Sequence, residues 1–375
     1  MNSKMIKMKK FLLTLFIISL NTLILIVAID MFATYFIYKE KTEFTWFFCE
    51  TEDLSWACPK PSPYFYWSFL GLGLKNFLYK DKHDVLPFDE LDQSDRKSIL
   101  RPWKSNDNSR IELPWKKDSW VDYYYDDLGR RVPKNPSKEV KDSSFIFLGG
   151  SWVHGDYLPY EDSLPGKFEE ISKHRTYNYG VRGGGLQEAF LWAQSADFSS
   201  HIPESNNTFI YTYLSFHLSR LRPSVNRGPL NFALAMTDYI HSNELGYAGT
   251  FNQAFPVLVP GLSFIYYSGL GKMLGLRNKN FPEWENESLF CDMLVQMKKK
   301  LKEKRPSSKF YVLSYEYKLE DFLLNCLNDN EINWILPLFD GDLVKTNLPD
   351  GHPDAQTHES VAEYLKKQII SDSTP

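Results

Sequence analysis

The sequence predicts an α/β domain over about residues 143–375, built on a parallel sheet with helices on both faces. Two observations predict it. Short apolar runs alternate with segments of helical spacing along this region, and the first two apolar runs end at glycine. Strands separated by helices pair in parallel, because each helix carries the chain back to the same end of the sheet.

The individual elements follow this rhythm. The pattern predicts strands at 145–148, 176–179, 208–214, 310–314 and 334–338. It predicts helices at 163–173, 186–196, 285–303 and 359–370. Asp162 or Ser163 caps the first of these helices. The rhythm breaks between about 223 and 281, which predicts a long insertion at the rim of the sheet.

Residues 1–39 are predicted to be a short cytoplasmic tip and a transmembrane anchor. Residues 11–29 carry no charge over 19 positions, close to the ~20 helical residues that span a bilayer. Four lysines precede this run, which places the N-terminus inside and the chain after about Lys39 outside the cytoplasmic membrane. A cleaved signal peptide is the alternative, but no small-residue cleavage site follows Val27, which favours the anchor.

Residues 40–142 are predicted to be an aromatic-rich accessory region and linker. Six of the ten tryptophans lie between Trp46 and Trp120. Such a cluster either stacks on sugars or packs a loop-rich region onto its neighbour, and packing is the more common use. Residues 119–132 are predicted to form a strand, a turn and a second strand, and residues 133–142 a linker.

The composition excludes several function classes. Hydrophobic residues make up 43% and charged residues 24% of a chain with net charge −4, which is typical of a globular protein and excludes a nucleic-acid-binding basic face. Cys49 and Cys58 can close a loop in an oxidising compartment, whereas Cys291 and Cys326 lie in helical patterns and are predicted to be buried apolar residues. No Cys/His cluster suggests a metal site, and we expect no cofactor.

A serine follows the first predicted strand. Gly149 and Gly150 let the chain turn sharply, so that Ser151 begins a helix at the carboxyl edge of the sheet, where ligands bind in this class of fold. Backbone N–H groups at a helix N-terminus can stabilise a developing oxyanion. The fragment alone also fits a glycine-rich helix cap. The Gly-Lys-Ser/Thr ending of a phosphate loop is absent.

Two further blocks lie at other strand or loop ends. Asp350 and His352, just before the last helix, can present a carboxylate and an imidazole together, as a serine nucleophile requires. Gly180, at the end of the second strand, can offer its N–H to a substrate oxygen. His358 and His154 are the rival bases, but His358 is predicted to cap or pack, and His154 points along the serine helix.

In order and spacing, these blocks resemble the SGNH/GDSL hydrolase superfamily over roughly residues 143–375. The resemblance rests on Gly149-Gly150-Ser151 with its continuation through Gly155, on Gly180, and on Asp350 with His352. It implies a flavodoxin-like three-layer sandwich that needs no cofactor. It also implies Ser151 as nucleophile, His352 as base, Asp350 as the orienting carboxylate, and an oxyanion hole from the N–H groups of Ser151 and Gly180.

The third family block departs from the pattern. The superfamily has Gly-x-Asn-Asp after the third strand, where the asparagine donates to the oxyanion, but residues 214–220 read Leu-Ser-Phe-His-Leu-Ser-Arg. Anchored relatives with a His-x-x-Arg arrangement at this position resemble this segment, which implies that His217 and Arg220 contact the substrate or oxyanion, with a structural role as the alternative. Loss of one oxyanion donor typically costs about 10²–10³ in rate.

The resemblance implies a serine-dependent esterase that removes or transfers O-acyl groups, above all acetyl, on an envelope or exported glycan. We expect an acylated carbohydrate or another ester as substrate, the membrane as partner through residues 11–29, and no nucleic acid. The alternative is a non-catalytic glycan-binding or polysaccharide-assembly factor on the same scaffold. The sequence does not separate hydrolase from transferase.

Overall fold

The computed structural model describes residues 108–135, 142–195, 201–222, 235–241, 244–250, 285–337 and 345–370, with isolated positions at 14–25, 262 and 273–276. Most of the predicted anchor, the aromatic region before residue 108, Cys49 and Cys58 lie outside the described residues. Within the described part of the chain, no helix is both long and apolar enough to cross a bilayer.

Eight strands of the described chain form one sheet, and two more form a separate hairpin. The sheet strands are β1 (Asn108–Glu112), β2 (Trp120–Tyr125), β3 (Arg131–Val132), β4 (Ser143–Gly149), β5 (Arg175–Gly180), β6 (Asn206–Tyr213), β9 (Lys309–Ser314) and β10 (Asn333–Ile335). The hairpin strands are β7 (Ala235–His241) and β8 (Glu244–Thr250), which fall within the predicted insertion.

The sheet runs in the order β1-β2-β3-β5-β4-β6-β9-β10. The five strands from β5 to β10 are parallel, whereas β1, β2 and β3 pair antiparallel. The parallel strands therefore follow the order 2-1-3-4-5 of a flavodoxin-like sheet. Their carboxyl ends, including Gly149 and Gly180, share one edge.

Helices pack on both faces of this sheet, which confirms the predicted α/β class. The helices are α1 (Ser151–His154), α2 (Leu164–Ser172), α3 (Leu186–Gln194), α4 (Ser215–Leu218), α5 (Asn286–Lys304), α6 (Asp321–Asp329) and α7 (Ala355–Ile369). Buried side chains of α3, α5 and α6 form one core with the sheet, and those of α1, α2 and α7 form the other.

Strands β1–β3 extend the sheet beside β5. Arg131 of β3 pairs with Asn178 of β5, and its side chain is only 1% exposed. The guanidinium donates to the carbonyl oxygens of His154 and Gly155, each at 2.6 Å, and to that of Leu158. A charge buried this deeply needs such partners, so these bonds attach β3 to the turn that follows α1.

Several predicted elements differ from the structure. Helix α7 begins four residues earlier than predicted, because the Asp354 side chain accepts a hydrogen bond from Thr357 N–H at 2.9 Å and caps it. The β7–β8 hairpin was not predicted, and α6 was indicated only by the helical pattern around Cys326. The expectation that Cys291 and Cys326 are unpaired apolar residues is wrong. They form a disulfide between α5 and α6, because the two helices lie side by side, which the pattern of one sequence does not show.

Candidate active site

Ser151 is the first residue of α1 and directly follows the tight turn that connects β4 to this helix at Gly150. The turn packs closely: a Cβ added to Gly150 would come within 2.8 Å of the Gly184 carbonyl oxygen and 3.0 Å of His217 Nε2. Only glycine fits this contact. Ser151 is 6% exposed, and the turn holds it at the carboxyl edge of the sheet.

The loop before α7 brings His352 and Asp350 to this serine. His352 Nε2 lies 2.8 Å from Ser151 Oγ, and His352 Nδ1 lies 2.7 Å from Asp350 Oδ2. Asp350 Oδ1 also accepts the backbone N–H of His352 at 3.1 Å. The carboxylate therefore favours the tautomer with the proton on Nδ1, which leaves Nε2 to accept the serine proton.

The electrostatic environment favours a protonated His352. Burial lowers the pKa of His352, but the hydrogen bond to Asp350 and the negative charges of Asp156 and Asp350 raise it above its ordinary value; Arg182 opposes them. The imidazole can therefore hold the positive charge that it gains on accepting a proton. A histidine in this environment is suited to act as a general base.

Gly180, the predicted second oxyanion donor, packs against α1 and has its N–H bonded within the fold. Its N–H donates to Asn178 Oδ1 at 2.9 Å, so that N–H is already engaged. A Cβ at Gly180 would lie 2.2 Å from His154 N and 2.8 Å from the Val153 carbonyl carbon. The residue is glycine because α1 packs directly against its backbone. The sequence pattern could not distinguish this packing requirement from a catalytic one.

His217 and Arg220 pack against the turn that precedes Ser151. His217 is fully buried, and its Nδ1 lies 2.9 Å from Tyr211 Oη. Arg220 Nη1 donates to the Gly184 carbonyl at 2.6 Å, the same oxygen that a Cβ on Gly150 would meet. These contacts fit the structural alternative. A contact with substrate stays a prediction for both residues.

The two rival histidines are buried. Tyr315 Oη lies 2.9 Å from His358 Nδ1, and burial lowers the pKa of His358 to about 3. His154 is 2% exposed, and burial lowers its pKa to about 4. Both imidazoles are therefore neutral near pH 7, and His358 packs as predicted.

The structure adds a polar group that sequence reasoning missed. Asp156, in the turn after α1, has its Oδ1 2.6 Å from His154 Nδ1. Its Oδ2 accepts from Arg182 Nε at 3.0 Å. Asp156 directly follows the serine block and Arg182 lies inside the glycine block, so proximity to these motifs was the signal available. Nothing in the sequence indicates that the two side chains meet.

Comparisons with known proteins found no matching family model and no matching curated protein. A carbohydrate esterase family 2 enzyme with a carbohydrate-binding domain, from Corynascus thermopiles (Myceliophthora fergusii), is similar in structure at 15% identity and a TM-score of 0.35. An acetyl xylan esterase from Butyrivibrio proteoclasticus matches at 8% identity and a TM-score of 0.36. These matches cover 65% and 63% of this chain, and 69% and 66% of the respective enzymes.

The periplasmic domain of a lipopolysaccharide acetyltransferase from Salmonella ser. Paratyphi A matches at 9% identity and a TM-score of 0.31. The match covers 62% of this chain and 85% of that domain. Because all three scores and identities are low, no substrate or residue role is taken from these proteins. The sheet order, with the serine and Asp-x-His blocks meeting at its carboxyl edge, is the flavodoxin-like arrangement that the resemblance to the SGNH/GDSL superfamily implies.

Proposed function

We propose that this domain is a serine-dependent esterase that cleaves or transfers ester-linked acyl groups. The observation that carries the proposal is the continuous contact from Ser151 Oγ through His352 to Asp350, at 2.8 Å and 2.7 Å. A serine hydroxyl is a weak nucleophile unless a base removes its proton. These contacts supply both the base and the carboxylate that orients it.

The chemistry proceeds in two acyl-transfer steps. Ser151 Oγ attacks the acyl carbonyl carbon while its proton moves to His352 Nε2. The tetrahedral intermediate collapses, and His352 returns the proton to the departing alcohol oxygen, which leaves an acyl-serine. Water, or the hydroxyl of a second sugar, then attacks the acyl-serine and gives its proton to His352 Nε2. The bond between the acyl carbon and Ser151 Oγ breaks, and His352 returns the proton to Ser151 Oγ. Asp350 holds the imidazole in position through both steps.

The proposed oxyanion hole uses the N–H of Ser151 with that of Gly183 in place of Gly180. Gly183 N–H has no acceptor among the residues that the structure describes, and the next residue, Gly184, lies against Gly150. An N–H without an internal acceptor, one residue before the contact between Gly184 and Gly150, is available to a developing negative charge. The asparagine of the usual third block has no counterpart in this scheme.

We propose O-acyl groups, above all acetyl, on an envelope or exported glycan as the substrate. The Cys291–Cys326 disulfide supports a location outside the cytoplasm, because disulfides persist in oxidising compartments. That location agrees with the predicted anchor at residues 11–29, the N-terminus inside and the domain outside. Under this proposal, the protein is a membrane-anchored enzyme whose catalytic domain faces the glycans of the cell envelope.

Labelling with a serine-directed fluorophosphonate tests the nucleophile. The wild-type protein should be labelled and should release p-nitrophenol from its acetate ester. Ser151→Ala should abolish labelling and lower turnover by roughly 10³-fold or more, since the variant has no nucleophile. Ser163→Ala is a matched control, because Ser163 is fully buried at the N-cap of α2.

An added oligosaccharide separates the two forms of the proposal. A hydrolase releases free acetate at the same rate with or without the acceptor. A transferase moves the acyl group to the sugar and hydrolyses slowly. Folded wild-type protein that is neither labelled nor active, but binds the oligosaccharide, would support the non-catalytic alternative that the altered third block favours.

A further inference from the structure

Asp156 is a buried carboxylate that the acyl-transfer steps do not use. Its side chain is 7% exposed. Burial raises the pKa of Asp156, but Arg182 and His154 lower it far more, so that it lies well below its ordinary value. Asp156 is therefore a fixed negative charge shielded from water, where electrostatic effects are stronger than at the surface.

The Asp156–Arg182 ion pair and the imidazole of His352 meet at the same aromatic ring, because the Arg182 guanidinium lies 5.8 Å from the centre of the Tyr157 ring. The residue after Asp156, Tyr157, has a left-handed backbone with φ of 63°, and its ring stands edge-on to His352 with centroids 6.1 Å apart. The negative charge of Asp156 raises the pKa of His352, and the positive charge of Arg182 lowers it. Both groups of the ion pair therefore act on the base, in opposite directions.

Other groups that face His352 supply no comparable buried charge. Asp350, on the same loop, has a side chain that is 23% exposed. His358 on α7 is neutral because burial lowers its pKa to about 3. The Tyr157 phenol stays neutral because burial raises its pKa. Arg131, on β3, faces Asp156 and His154 and donates to backbone carbonyls.

We propose that Asp156 is a positioning residue that stabilises the imidazolium form of His352, and that Arg182 sets the strength of this effect. The inference rests on the proposed function, in which His352 carries a proton between Ser151 Oγ and the leaving oxygen. Asp156 exchanges no proton in these steps. It lowers the free energy of the charged state through space, while Asp350 does so through a hydrogen bond.

The test is a titration of the His352 imidazole by NMR in the full-length, histidine-labelled protein, with the signal assigned from its absence in His352→Gln. Asp156→Asn should lower the pKa of His352 by about one pH unit, because an attractive charge is removed. Arg182→Gln should raise the pKa by a similar amount, because a repelling charge is removed. Arg182→Lys keeps the charge and should leave the pKa near the wild-type value.

The opposite directions distinguish this role from a structural one. If the Asp156–Arg182 ion pair only held the fold, Asp156→Asn and Arg182→Gln would break it alike and shift His352 in the same direction or not at all. Either result would overturn the proposal.

If Asp156→Asn does not fold, the comparison of Arg182→Gln with Arg182→Lys still decides. The titration needs no turnover, so it also stands apart from a failure of the esterase proposal. In an active enzyme, the acid limb of kcat/KM should move in the same directions.

Discussion

Two histidine–aspartate pairs lie on either side of the serine turn. Their contact distances are similar, but the exposure and the pKa of the two imidazoles differ. In the pair beside Ser151, His352 Nδ1 lies 2.7 Å from Asp350 Oδ2, and the imidazole is 21% exposed. In the other pair, His154 Nδ1 lies 2.6 Å from Asp156 Oδ1, and the imidazole is 2% exposed. The pKa of His352 is raised, whereas that of His154 is lowered to about 4.

The difference shows that a short His–Asp contact does not by itself identify a base. Asp156 also forms an ion pair with Arg182. Burial lowers the pKa of His154 by more than the negative charge of Asp156 raises it. The second ring nitrogen also matters. His154 Nε2 lies 3.0 Å from Tyr125 Oη, whereas His352 Nε2 faces Ser151. Partial exposure and an available nitrogen distinguish the proposed base from its buried counterpart.

The largest effect that we expect separates the two histidines by activity. His352→Gln should lower kcat for ester hydrolysis by about 10⁴-fold or more, because the serine loses its base. His154→Gln should keep kcat within about tenfold of wild type, because an amide can replace the buried hydrogen bond to Tyr125 Oη. Steady-state kinetics on protein shown by circular dichroism to be folded make the measurement. An equal loss in a folded His154→Gln variant would contradict the distinction.

Gly180→Ala tests the packing that holds the His154 pair in place. Its Cβ would lie 2.2 Å from the backbone nitrogen of His154, so we expect a loss of roughly 3 kcal/mol in the free energy of unfolding. Gly351→Ala is the control: it adds a Cβ with no atom within 4 Å at a φ of 90° and should cost only about 1–2 kcal/mol. Urea unfolding measures both. An equal or smaller loss for Gly180→Ala would contradict the close contact.

The smallest effect that we expect is a difference in the pH dependence of stability. The folded-state pKa of His154, about 4, lies below the value of about 6.5 in an unfolded chain. The contribution of His154 to the free energy of unfolding is therefore present above about pH 6.5. It is lost as the pH falls towards about 4, by up to ~1.4 kcal/mol per pH unit. His352 acts oppositely, because its pKa is raised: its contribution is present at low pH and is lost as the pH rises through the folded value.

Urea unfolding between about pH 7 and pH 5 measures this difference. His154→Gln should flatten the fall in the free energy of unfolding towards pH 5, and His352→Gln should steepen it. Carboxylates contribute little in this window, because their unfolded pKa values lie near 4. The same slope change in both variants would show that the two pairs do not differ in protonation.

The sequence alone was sufficient to predict what depends on neighbouring residues along the chain. Apolar runs and helical spacing predicted β4, β5, β6, α2 and α3 to within about two residues at most ends, because a strand or helix is specified by its own side chains. Ser163 caps α2 as expected. The order of the serine, glycine and Asp-x-His blocks led to the residues that the structure brings into contact.

Contacts between distant segments were decided only by the tertiary structure. Gly180 is glycine because α1 crosses it, Cys291 bonds to Cys326 because α5 packs beside α6, and Asp156 meets Arg182 across two loops. None of these pairings leaves a periodic signal in one sequence. The protonation states of His154 and His352 depend in turn on such contacts, because burial and nearby charges, rather than residue type, determine the pKa of a histidine.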